Sequence, residues 1–110
     1  MKTTKQNTLK FVRTQLSMNR SWALKALVRI YKENQTPAEQ NAQLTTEDNG
    51  IGFSGTDAPF LSSLADQYDR KGFLSEKQLG FVTRKMPKYA RQVVAMSDPL
   101  KLTALVEAAL

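Results

Sequence analysis

Apolar positions along the chain recur mostly at intervals of three and four residues, the spacing of amphipathic helices. Leu9, Val12 and Leu16, with Phe11 beside them, predict a first helix over about 8–18. Residues 1–6 read as frayed. A second helix over about 21–33 carries Trp22, Ala23, Ala26, Leu27, Ile30 and Tyr31 on one stripe. Asn19 or Ser21 is placed to cap it. Thr36-Pro37-Ala38-Glu39 is a capping box with proline in the first turn, predicting a short helix over about 37–43.

The periodicity then lapses over 45–56, where three of the five glycines fall. Asn49-Gly50 is a turn signal that allows either a tiny hairpin, pairing about 44–46 with 51–53, or a structured loop. Thr56 or Asp57 opens a helix over about 58–70, with Phe60, Leu61, Leu64, Ala65 and Tyr68 expected inward and Gly72 as its C-cap. Ser75 and Gln78 form a second capping box. Beyond it the stripe Leu79, Val82, Met86, Tyr89, Ala90 and Val93 runs to about Met96. Pro87 predicts a kink or break within it. Asp98-Pro99 opens a last helix to about Ala109, with Leu100, Leu105, Val106 and Ala109 expected inward. The expectation is an all-α single domain over 1–110, of about five or six helices with one Gly-rich loop.

Composition narrows the chemistry. With 110 residues, no histidine and no cysteine, the chain lacks the commonest general base and transition-metal ligand, and it has no thiol. No cofactor, metal site or catalytic constellation is expected, and the chain reads as non-enzymatic. No apolar run approaches the ~20 residues of a membrane span. The lysines of the first ten residues precede no apolar block, so a secretory signal is not expected. The cytoplasm of a bacterial host is the expected location.

Charge adds more. The net +6 is segmented: residues 1–35 carry +7, 36–69 carry −6 and 70–110 carry +5. Lys25, Arg29 and Lys32 lie at i, i+4 and i+7, and Arg84, Lys88 and Arg91 repeat that spacing with Lys85 adjoining. Two readings stay open. The acidic segment folds against the basic helices, or the basic faces remain open for a polyanion. On the second, Lys25, Arg29, Lys32, Lys77, Arg84, Lys85, Lys88 and Arg91 are the candidate nucleic-acid contacts, with DNA the expected partner before RNA. The alternative is a protein interface through the acidic middle, with Glu47, Asp48, Ile51 and Phe53 as its residues.

Other patterns in the chain are weaker. The helices flanking Gly72 have a helix-turn-helix layout that would offer Glu76, Lys77 and Gln78 to bases. Gly50, Gly52 and Gly55 have G-x-G-x-x-G spacing without the strand a dinucleotide site needs. Glu47, Asp48, Asp57 and Asp66 match no metal loop, and Asp57 is accounted for as a cap. Trp22, Tyr31, Tyr68 and Tyr89 sit on apolar stripes, which makes them core before base-stacking residues.

Residues 49–92 contain Asn-Gly-Ile-Gly-Phe-Ser-Gly-Thr-Asp-Ala, then Leu-Ser-Glu-Lys-Gln, then Lys-Met-Pro-Lys-Tyr-Ala-Arg-Gln. This order resembles a segment of small uncharacterised proteins of bacteriophages and other mobile elements, related stretches of which occur beside helicase-like proteins. The resemblance implies a phage or plasmid accessory protein acting near DNA. It brings no catalytic residue with it. The competing reading, through the acidic middle segment, is a phage-encoded inhibitor or adaptor of a host protein.

Overall fold

The structure, a computed structural model, describes residues 4–34 and 52–109, and it is all-α. Helix α1 spans Lys5–Met18. It begins earlier than the apolar spacing predicts, because the Thr4 side chain accepts from the Asn7 backbone N–H and caps it. The frayed reading of 1–6 therefore fails at residues 4–6, while 1–3 lie outside the described residues. Asn19 separates α1 from α2, Arg20–Arg29. Its carboxamide accepts from the Ser21 and Trp22 N–H groups, as its residue type predicts. The end of this helix relaxes into a π-helical turn, Ile30–Asn34.

Helix α3, Ala58–Lys71, stops at Gly72, whose φ of +79° is the left-handed geometry of a glycine C-cap. Helix α4, Glu76–Lys85, starts on the predicted capping box, with both Ser75–Gln78 hydrogen bonds present. At Pro87 the α-helix gives way to a 3-10 turn, Met86–Tyr89, and resumes as α5, Ala90–Met96. Helix α6, Pro99–Ala109, follows Asp98, whose carboxylate accepts from the Leu100 and Lys101 N–H groups. The expected helix at 37–43 and the expected pairing of 44–46 with 51–53 fall largely outside the described residues. Gly52 and Phe53 form a bend.

Helices α1 and α2 are the centre of the packing. The first meets α2, α4, the 3-10 turn, α5 and α6, and the second also carries α3. Val12, Leu16, Ala23, Leu27, Ile30, Leu61, Ala65, Val82, Met86 and Val106 are buried in one core. Phe11 meets Trp22 edge-on at 6.0 Å across the α1–α2 seam.

Four inward assignments are corrected: Leu100, Leu105 and Ala109 on α6 and Phe60 on α3 are exposed. In α6 the buried residues are Leu102 and Val106, while Leu100 and Leu105 are 83% and 50% exposed. That helix rests chiefly on α1, so only one narrow i, i+4 line is covered. Phe60 on α3 is 50% exposed, because it stands beside Ala58, Leu61 and Leu64, which fill the core face.

Candidate nucleic-acid interface

The loop entering α3 is held by a buried polar cluster that the sequence did not reveal. Gly52 adopts φ +85°, which only glycine takes without strain, and this turns Phe53 inward. Phe53 is 1% exposed, stacked on Tyr31 at 6.5 Å and edge-on to Tyr89 at 5.9 Å. The Gln92 carboxamide pairs with both backbone groups of Gly52. Its Oε1 accepts from the Gly52 N–H and its Nε2 donates to the Gly52 carbonyl, each at 2.8 Å. Oε1 also accepts from Asn34 Nδ2 at 2.9 Å.

Asp57 occupies the N-cap position of α3 but caps nothing with its side chain. Its backbone is already helical (φ −88°, ψ −22°), and the Tyr89 hydroxyl donates to Oδ2 at 2.7 Å. Lys88 Nζ donates to the same oxygen at 3.0 Å, and Lys85 Nζ lies 3.5 Å from Oδ1. The Ser54 N–H donates to Tyr89, and Lys88 also reaches Ser54 Oγ. Burial alone would raise the Asp57 pKa. The hydrogen bonds from Tyr89 and Lys88 and the two lysine charges outweigh it and hold the carboxyl below its ordinary 3.8. Burial, with the Asp57 contact adding to it, pushes the Tyr89 hydroxyl up to about 12.

This geometry corrects one residue of the alternative interface. Phe53 is 1% exposed, a core side chain and not a surface anchor. Glu47, Asp48 and Ile51 lie outside the described residues.

The candidate cations divide. Arg29 pairs with Glu33 at 2.6 Å and Lys32 with Asp69 at 2.7 Å. Lys85 and Lys88 share Asp57. Among the described residues Lys25, Lys77, Arg84 and Arg91 pair with no acid and stand at or near the surface: Arg84 lies over the Phe81 ring at 5.9 Å, Lys25 borders a cleft with Trp22 and Lys101, and Arg91 borders another with Lys10 and Arg13. The two stripes therefore do not act as matching faces. Asp57 and Asp69, both from the acidic segment, each neutralise part of one stripe.

The helix-turn-helix reading loses its recognition residues. Gln78 is spent on the Ser75 N–H and on a reciprocal pair of hydrogen bonds with Gln67. Glu76 is bound by both terminal nitrogens of Arg20, and among the described residues Lys77 alone of that trio has no such partner. Asp66 pairs with Arg70, and among the described residues no three potential ligands group as a metal site.

Two features were missed from sequence. Lys10 and Arg13 of α1 join Arg91 of α5 at a cleft whose lining holds no acid. Phe60 and Phe81 lie with ring centroids 4.3 Å apart, tilted by 61°. The available signal was Phe81 itself, which falls off the Leu79–Val82–Met86 stripe and stands at helical spacing from Lys77, Arg84 and Lys85.

No protein-family model, curated protein or solved structure matches the chain. Among the described residues no helix is long and apolar enough to cross a membrane.

Proposed function

We propose that the chain is a non-enzymatic accessory protein that binds nucleic acid electrostatically, DNA before RNA. The mobile-element origin and the bacterial cytoplasm rest on the resemblance of residues 49–92. One observation carries the binding reading. Among the described residues the acids are already committed: Glu33, Asp57, Asp66, Asp69 and Glu76 are in ion pairs, and Asp98 caps α6. Only Glu107 remains outside these roles. Among the described residues Lys10, Arg13, Lys25, Lys77, Arg84, Arg91 and Lys101 have no acidic partner, which supports a cationic surface on this part of the chain. Arg29 and Lys32 add to this, since their ion pairs are half exposed and such pairs hold only ~0–1 kcal/mol against exchange for a phosphate.

Each phosphate neutralised releases counterions, so salt dependence reports the number of contacts. Titration of labelled oligonucleotides at several salt concentrations should give log K falling with log[salt] at a slope of roughly −3 to −5, for about 4–6 contacts. Absence of binding at about 50 mM salt overturns the proposal.

A further inference from the structure

The outer face of α4 and the turn after it presents an aromatic pair among cations. Phe60 is half exposed although a core lies one residue away at Leu61. It rests on Phe81 at 4.3 Å. Arg84 and Lys85 stand 5.9 and 5.7 Å from the Phe81 centroid, which is cation–π distance. Lys77 precedes Phe81 by one helical turn, and Lys88 lies in the 3-10 turn beyond. Asp57 offsets one of these charges from beneath, with its side chain only 5% exposed. What faces outward is an apolar ring rimmed by positive charge.

Leaving a phenylalanine in water forgoes the burial that its neighbours on α3 obtain. The ring-plus-cation arrangement complements a ligand with flat π-faces strung on an anionic backbone. A duplex keeps its base faces stacked inside, and only an unpaired strand can offer them. We infer that Phe60, supported by Phe81 and flanked by Lys77, Arg84, Lys85 and Lys88, is a stacking platform for a base of single-stranded nucleic acid. The inference rests on the nucleic-acid reading above and specifies the strand state that this face selects.

The test uses the full chain and fluorescence anisotropy with oligothymidylate and oligouridylate of about 12 nucleotides, a duplex of equal length and an abasic strand of equal length. Phe60→Ala should weaken both single strands roughly 5- to 100-fold and leave the duplex, the abasic strand and the salt slope unchanged. Phe60→Leu keeps an apolar contact on Phe81 but has no π-face, and it should lose as much. Phe60→Trp should retain wild-type affinity. Thermal melts confirm that the variants are folded.

Wild-type affinity of Phe60→Ala for both single strands overturns the platform while the electrostatic reading stands. An equal loss on the duplex overturns it as well. So does self-association in sedimentation that depends on Phe60, because the face would then belong to a second copy of the chain. If the wild-type chain binds none of the four probes, the underlying nucleic-acid reading fails, a result distinct from the others.

Discussion

The stripes on α2 and around Pro87 have the same spacing of basic residues and different fates. Lys25, Arg29 and Lys32 sit on α2 and the π-turn that continues it, and two of the three meet an acid on the way. Arg84, Lys88 and Arg91 are split by the 3-10 turn. Arg84 stays beside Phe81, Lys88 swings to Asp57, and Arg91 joins Lys10 and Arg13. Spacing of i, i+4 and i+7 defines one face only while the backbone keeps 3.6 residues per turn. The proline converts one apparent stripe into three local environments.

The contrast can be broken first at the core that holds the second stripe in place. Phe53→Ala removes the ring between Tyr31 and Tyr89 and should cost about 3–5 kcal/mol in urea unfolding. A loss below about 1 kcal/mol would show that the loop is not tied to the core as described.

Asp57→Asn should cost about 1–3 kcal/mol, since hydrogen bonds to a buried charge are lost or weakened. It also has a pH signature. The folded carboxyl titrates below its ordinary 3.8, so its stabilisation is complete above that value and is lost as pH falls through the folded one. Wild type should therefore lose stability more steeply below about pH 4 than Asp57→Asn does, measured by melting temperature against pH.

Pro87→Ala should cost only about 0.4–1 kcal/mol, chiefly through the unfolded state, because Tyr89 and Lys88 hold the turn on Asp57. A rise in stability together with a flattened acid limb would show instead that the proline alone imposes the break and that α4 and α5 fuse.

The smallest effects separate paired from unpaired cations. Arg91→Gln should flatten the duplex salt slope by about 0.9, one phosphate contact. Lys32→Gln should change it less, because that ammonium already bonds to Asp69. Equal changes would erase the distinction between the two classes.

Much of the helical frame is legible in sequence because its signals are local. Asn19, Gly72, the Ser75–Gln78 box and the break at Pro87 each act through the backbone within a few residues. The polar cluster is not legible, since it joins Gly52, Ser54 and Asp57 to Lys88, Tyr89 and Gln92 across more than thirty residues. Asp57 reads as a cap by residue type, and only the arrival of Tyr89 diverts its carboxylate. Phe60 and Leu105 read as buried because periodicity locates an apolar stripe but not the width that a neighbouring helix covers. The charge segmentation announced a +7, −6, +5 pattern, and only packing decided which acids met which cations.

Gln92 has one more consequence, for how this chain tolerates change. Asn34 and Gly52 bracket residues 35–51, and both hydrogen-bond to that single carboxamide. One side chain of α5 therefore ties both sides of this junction, and replacing Gln92 frees them together, so the scaffold tolerates little change at that position.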